Sequence, residues 1–487
     1  MINYDKYWNS HSGPWLGAYQ EDGAEEPGGG WKWVTGEISN YAPWADGEPN
    51  NYGENENKLG YYFTSDTRQA TFNDFSDDES DLISYIIEFD NEPISTTTPV
   101  NIPDANLKAA IEETLGVTDP TQFDMLRLTY LNIDGAGVND LTGLEEAFFM
   151  DFLAMGNNNI SDVSPLLGLL NLTLLDVNNN PISDLTGISS IPSLVALSVK
   201  SCEITDISPL ANLLNLERLY LNDNDLTDIS SLIFFPQLTK LDLWNNNITD
   251  LSPLTVQTSL EELTLGENQI IDITPLNNLT NLTYLDISKN AISDLSPLSN
   301  LTKLHNLRIE HNTIQDINPL ASITTLAYLY AGNNTIKDIS AVSNMTNLYV
   351  LQLLTNGISN ISPVQNLTKL TTLDISYNPI NDLNSIAGLI NLRQLRFKSS
   401  NIKDISPVTN MHALKTLEML YNPLDLNSYC IHLPQIKENN PNLNIITYNR
   451  NPNGIISDLT EDCYVDLADF AFMCNEWLSC IHPDCTE

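Results

Sequence analysis

Between residues 158 and 422 the sequence returns to one register every 22 residues: Asn158, Asn180, Cys202, Asn224, Asn246, Asn268, Asn290, Asn312, Asn334, Asn356, Asn378, Ser400 and Asn422. Eleven of these thirteen positions are Asn. Five residues before each stands Leu, from Leu153 to Leu417, and two after each stands Ile or Leu, from Ile160 to Leu424. A register held this long restricts the chain to a stack of near-identical units, each burying its apolar face against its neighbours.

The unit itself is readable. In L-x-L-x-x-N-x-I the apolar residues alternate, so the first two point inward from a short strand. The Asn turns inward where the chain bends, and its amide bonds backbone groups that the bend leaves unpaired, so stacked units form an Asn ladder. Cys202 and Ser400 are small substitutes on that ladder, which makes Cys202 a buried rung and not a reactive thiol. Four residues after the rung comes Asp, from Asp162 to Asp404, with Asn360 the exception. Ser-Pro-Leu commonly follows, as at Ser208-Pro209-Leu210. Asp caps a helical turn, and Pro suits its first position, where a missing N–H costs nothing. These carboxylates are therefore expected to cap short turns on the convex side, which explains part of the acidity without acid–base chemistry.

This pattern resembles the internalin type of bacterial leucine-rich repeat over residues 126–425. The resemblance implies an α/β solenoid, a horseshoe or arc with a parallel concave sheet and short convex 3₁₀ or helical turns. A first, degenerate unit carries Leu131, Ile133, Val138 and Asp140, with Ala136 in place of the rung Asn. Before it, IPDANLKAAIEETLGV has helical apolar spacing with Asp104 placed to cap it, and resembles the helical N-cap (99–125) that seals such solenoids. After Asn422 the period is lost, and 426–450 read as a C-terminal cap. At ~4.8 Å per strand, fourteen units give a sheet on the order of 65 Å long.

Composition narrows the function. A formal charge of −42 disfavours nucleic acid and anionic membrane surfaces, which would be repelled. No apolar run reaches the roughly 20 residues of a bilayer crossing. No catalytic constellation is visible: the six histidines are scattered, and no G-x-S-x-G, phosphate loop or H-E-x-x-H occurs. The chain is thus expected not to be an enzyme. The N-x-S/T triplets fall out of the repeat and are not read as glycosylation sites.

Side chains six, four, two and one residues before each rung face outward from the concave sheet. They include Arg218, Tyr220, Trp244, Tyr284, Arg308, Glu310, His311, Tyr328, Tyr330, Arg396 and Lys398. Exposed Trp, Tyr and Arg are the types that make binding hot spots, although aromatics also favour strands on their own account. Among so few bases, Arg396 and Lys398 on one strand stand out. A protein ligand on this face is the expectation.

Residues 1–93 differ in composition, with Trp8, Trp15, Trp31, Trp33 and Trp44. The string WKWVTGEISNYAPWADGEPNNYGENENK, then FND and YIIEFD, resembles the second half of a C-type lectin-like domain. Trp15-Leu16-Gly17 matches its core strand motif, Glu48-Pro49-Asn50 its mannose-type triplet, Glu56 the following acid, and Asn73-Asp74 the pair before the last strand. The resemblance implies one calcium held by Glu48, Asn50, Glu56, Asn73 and Asp74 and completed by sugar hydroxyls. Three carboxylates and two amide carbonyls suit calcium, whereas GEPNN alone would be only a turn. The segment has no cysteine, and only fourteen residues precede Trp15 where the fold resembled needs a strand and two helices. No signal peptide is visible at MINYDKYWNSHSG. The expectation is that this chain begins inside a longer protein whose signal peptide lies upstream. Residues 94–98 read as a linker.

In the tail, 451–487, DLTEDCYVDLADFAFMCNEWL resembles one calcium-binding repeat of a dockerin, EF-hand-like in outline. Asp458, Thr460, Asp462, Asp466 and Asp469 occupy its ligand positions, with Tyr464 supplying a backbone carbonyl. Cys463 stands where the sharp turn wants Gly, and one repeat is present where a dockerin has two. A solvated acidic tail is the competing reading. Cys463, Cys474, Cys480 and Cys485 crowd this segment while Cys202 and Cys430 stand apart. Disulfides in an oxidising compartment are favoured over zinc. The chain is therefore expected to be a secreted or cell-surface recognition or adhesion protein, with a protein ligand on the solenoid and a calcium-dependent sugar site. The alternative is a structural component anchored by its tail to an envelope or docking partner, with the solenoid as spacer.

Overall fold

The computed structural model describes residues 95–446 and the backbone of four earlier strands, Ser12–Gln20, Trp31–Trp33, Glu56–Tyr62 and Thr71–Ser76. Those four form an antiparallel sheet in which Ser12–Gln20 lies between Trp31–Trp33 and Glu56–Tyr62, with Thr71–Ser76 outermost. Next along the chain, Ala105–Leu115 is a helix opened by Asp104, whose carboxylate accepts from the amides of Asn106 (2.9 Å) and Leu107 (3.1 Å). Leu107, Ile111 and Leu115 make its buried stripe, and Gly116 closes it in the left-handed conformation.

From Tyr130–Asn132 to Thr416–Glu418 a three-residue strand recurs at each repeat, and Asn444–Ile446 adds one more after the period is lost. The fifteen strands form one sheet in strict sequence order. Pairing is parallel and in register, as in Leu241↔Leu263↔Leu285↔Leu307, and 3₁₀ turns occupy the other side of each unit. One unit shows the core: Leu285, Ile287, Ile292, Leu295, Leu298, Leu301 and Leu304 are all buried. Burial of such side chains contributes roughly 1.5–3 kcal/mol each, so the repeated apolar positions carry the fold.

The rung asparagines tie consecutive units together. Asn246 donates through Nδ2 to the carbonyls of Leu221, Leu243 and Trp244 (3.0, 3.1 and 3.3 Å), while its Oδ1 accepts from the amide of Leu226 (3.0 Å). Two of those partners belong to the preceding unit. Cys202 and Ser400 keep the donating role, to Val177 and Ile375 (3.4 Å each). They have no carbonyl-like acceptor, so the amides of Ile182 and Ile380 turn to the carbonyls of Asn180 and Asn378 in their own unit (2.8 Å each). Both of these units carry Pro after the rung, Pro181 and Pro379, where most others use that N–H to bond the unit before.

The residue before each rung has a positive φ near +55°, from Asn157 through Thr355 (+55°) to Tyr421. The chain thereby turns sharply enough to aim the Asn inward, at the cost of a conformation that L residues adopt rarely.

Four residues past the rung, the Asp carboxylate accepts from the amide two residues on, as with Asp250 to Ser252 (2.8 Å) and Asp206 to Ser208 (2.7 Å). Asn360 does the same for Ser362 (2.9 Å). This is an Asx turn placed one residue earlier than an ordinary N-cap, and the residue between is Val, Ile or Leu facing the core.

At the C-terminal end a π-turn, Ser428–His432, leads into the helix Leu433–Asn439. Ser428 Oγ donates to Lys403 O (2.9 Å) and accepts from Ile405 N (3.1 Å), and Asn440 Nδ2 donates to Met411 O (2.7 Å). Backbone groups of the last full unit are thus met without another rung. Cys430, set apart from the other cysteines in sequence, is disulfide-bonded, whereas Cys202 is a free, buried thiol, as its place on the ladder implied.

Candidate functional site

Outward positions of the sheet alternate with the buried leucines, so each unit offers side chains six, four and two residues before its rung to the open face. Parallel register stacks them in rows: Tyr284↔Asn306↔Tyr328↔Val350, and Asp286↔Arg308↔Tyr330↔Gln352. The core constrains none of these positions, yet large aromatic and charged residues collect there.

Arg308 is the centre of the cluster. Its guanidinium lies 5.0 Å from the Tyr330 ring, Nη2 bonds Glu310 Oε1 (2.8 Å), and Nε stands 3.5 Å from Asp286 Oδ2. Tyr328, 39% exposed, packs its ring 6.5 Å from that of Tyr349. Partial burial raises the hydroxyl pKa of Tyr284 and of Tyr330 above the ordinary value.

A second aromatic group lies on earlier units. Trp244 spreads across the next unit, where a Cβ on Gly266 would come within 2.7 Å of its Cδ1, and Lys289 Nζ sits 5.4 Å from the indole. Lys240 Nζ lies 5.8 Å from the Tyr220 ring. Leu354 spreads over Gly332 of the unit before in the same manner. A bulky residue two before one rung, with Gly at the equivalent place in an adjacent unit, is the sequence signal for such a flat-lying side chain.

The basic pair expected to stand out shares one carboxylate. Arg396 Nε and Lys398 Nζ both reach Glu418, at 2.9 and 2.6 Å. Burial works against ionisation of Glu418, but hydrogen bonds from Lys398 and Arg396 prevail and hold its carboxyl below the usual range. Arg218 is exposed, and no ion pair among the described residues involves it.

What the sequence reading missed is a row of acids four residues before the rung. Asp176, Asp242, Asp286 and Asp374 each use Oδ1 to accept from the amide two residues on, at 2.9–3.0 Å. Burial pushes the carboxyls of Asp176, Asp242 and Glu310 above the ordinary range. The recurrence of Asp at that offset was legible; its partial burial was not.

Glu56 lies opposite Ser76, Asp74 opposite Leu59 and Asn73 opposite Gly60 on adjacent strands, so backbone pairing brings three of the five expected calcium ligands onto one strand pair. Glu48 and Asn50 lie outside the described residues, as do Asp458, Thr460, Asp462, Tyr464, Asp466 and Asp469 of the tail. Among the described residues no cluster of three or more His, Cys, Asp or Glu could hold a metal ion, and no helix is long and apolar enough to cross a membrane.

Fold and face together define a leucine-rich-repeat solenoid. The family model for leucine-rich repeats in two copies matches residues 236–278 and 280–322. The solved internalin InlF of Listeria monocytogenes is 35% identical, with a TM-score of 0.64 over 66% of this chain and 97% of that one. The chain belongs to the leucine-rich-repeat proteins of the internalin type. The functional domain of InlJ from the same organism, which includes a cysteine ladder, shares the fold at 24% identity (TM-score 0.54; 74% of this chain, 72% of that one). So does the plant peptide hormone receptor RGFR1 in complex with RGF2, at 19% identity (TM-score 0.50; 64% and 57%). No curated protein matches the sequence.

Proposed function

We propose that this chain is an extracellular recognition protein that binds a protein ligand on the open face of its sheet, and that it acts by binding and not by catalysis. One observation carries the reading. On positions that the repeat leaves free, Tyr284, Arg308, Tyr328 and Tyr330 gather on adjacent strands, with Trp244 laid flat two strands before. Rigid aromatic and guanidinium groups give the most contact area for the least lost side-chain entropy. The receptor RGFR1, which shares the fold, is solved in complex with RGF2. The Cys430 disulfide supports placement in an oxidising compartment, secreted or at the cell surface.

The test is a selection from a displayed random-peptide library at physiological salt. Peptides selected on the intact chain should lose binding at least tenfold to a Trp244→Ser/Tyr328→Ser/Tyr330→Ser variant of unchanged far-UV spectrum. Selected peptides that bind the variant equally well would sink this reading.

A second reading concerns residues 1–93. Calcium-dependent sugar binding through Glu48, Asn50, Glu56, Asn73 and Asp74 is supported by the pairing of the strands that carry the last three. Glycan binding abolished by chelator and by Glu48→Gln is the expected result. Glycan binding that survives both removes the site. For the tail, calcium at Asp458, Thr460, Asp462, Tyr464, Asp466 and Asp469 and attachment to an envelope partner remain a proposal that rests on its dockerin-like spacing. Calcium titration of the chain against an Asp458→Asn/Asp462→Asn variant tests it.

A further inference from the structure

Most cations of the open face are held by acids of the same face, while Arg218 is exposed without an ion pair among the described residues. Arg308 is held by Glu310 and Asp286, Arg396 and Lys398 by Glu418, Lys240 by Glu262 (2.5 Å), and Lys289 by Glu267 (2.7 Å). No ion pair among the described residues involves Asp176, Asp242 or Asp374. A second observation is independent of charge. On the strand Asn306–Arg308 and just beyond it, Asn306 Oδ1 and Glu310 Oε2 are buried acceptors with no donor, against one buried donor without a hydrogen-bond acceptor, Arg308 Nε. Buried acceptors left unmet are costly, and a donor from outside removes that cost.

We infer that the protein segment held by this face is basic, and that it presents Lys or Arg side chains to the acceptors of Asp242, Asp286, Asn306 and Glu310. This rests on the reading that the open face binds protein. Asp242 fixes one oxygen on its own backbone and leaves the other for the partner, whereas Asp286 fixes one in the same way and shares the other with Arg308. Asp242 and Asp286 stand two strands apart, about 10 Å, wider than the roughly 7 Å between alternate outward side chains of an extended peptide, by a difference that Lys or Arg stems can span. Neighbouring rings at Tyr284 and Tyr328 favour the same partner, since aromatic faces attract cations. Opposite charge also speeds encounter.

The probe is fluorescent octa-arginine, with octa-glutamate as its counterpart, titrated into the whole chain at 150 mM salt, where charges beyond about 8 Å are screened. Octa-arginine is expected to bind and octa-glutamate not to. Asp242→Asn/Asp286→Asn should weaken octa-arginine at least tenfold. Glu203→Gln/Asp225→Asn, which removes two exposed carboxylates elsewhere, should change it less than twofold. Glu310→Gln is a further variant should the double one fold poorly, as judged by its thermal melt. Equal loss in both double variants, no octa-arginine binding, or preference for octa-glutamate each overturns the inference. Library peptides that depend on Trp244, Tyr328 and Tyr330 yet carry no excess of Lys or Arg would overturn it while leaving the recognition reading intact.

Discussion

At the residue before each rung, the demand for a left-handed backbone falls on whatever side chain happens to stand there. Asn157, Asn179, Asn245 and Asn333 meet it cheaply, because a short amide tolerates that region. Thr355, with φ +55°, does not, since its branched Cβ crowds the backbone. Thr355→Asn is therefore expected to stabilise the protein by about 1 kcal/mol, read as a higher urea midpoint at unchanged slope. A midpoint that stays put or falls would show that the turn carries no strain. Gln257 is a second misfit. It fills a core position where other units place Leu279, Leu301 or Met345, is 1% exposed, and leaves Oε1 without a partner. Its Nε2 bonds Leu232 O, which also receives the amide of Phe235 (3.1 Å). Gln257→Leu should thus raise stability by about 1–3 kcal/mol, again measured by urea denaturation, whereas a loss would mean that the Gln is needed to shape the turn.

Among the elements, the 3₁₀ turns and the sheet face respond to pH in opposite directions. Hydrogen bonds from the backbone amide and hydroxyl two residues on hold Asp250 and Asp294 below the ordinary carboxylate range. A depressed folded pKa contributes stability above the unfolded value, near 3.9, and that stability is lost as pH falls through the folded value. The acid limb of the melting curve should therefore shallow in Asp250→Asn, as Asn360 already provides an uncharged cap. On the face, burial raises Asp242, so its ionisation opposes folding. That cost is absent below the unfolded value and grows as pH rises through the raised folded one. Thermal melts of Asp242→Asn should show a gain at pH 7 that vanishes near pH 3. A gain of equal size at both pH values would remove burial of the charge as the cause.

For the whole molecule, a stack whose units touch only their neighbours should tolerate loss of one unit but not loss of register. Excision of residues 269–290, one period of 22, joins Asn268 to Ala291 and leaves every rung and leucine aligned. Excision of 269–289 misplaces by one residue each inward side chain beyond the cut. The first variant should melt cooperatively within a few degrees of the parent by circular dichroism, and the second should not fold as one array. If both melt alike, the period is not what holds the units together. The first excision also removes Tyr284 and Asp286 from the open face, so it should fold while binding less of any partner held there.

The period, the inward leucines, the Asn ladder, the turn carboxylates and the cap at Asp104 were all legible in the sequence, because each unit meets the same surroundings as the last. A rule imposed thirteen times by identical packing can be read without coordinates. The open face obeys no such rule. Whether Arg396 and Lys398 are offered to a partner depended on Glu418, 22 and 20 residues away, and the tertiary structure placed it between them. Only coordinates showed Trp244 lying over Gly266, Asn306 and Glu310 with unmet acceptors, and Cys430 committed to a disulfide. Side chains on a solvated sheet choose rotamers by their neighbours across units, and that choice is made by contacts in space that periodicity does not encode.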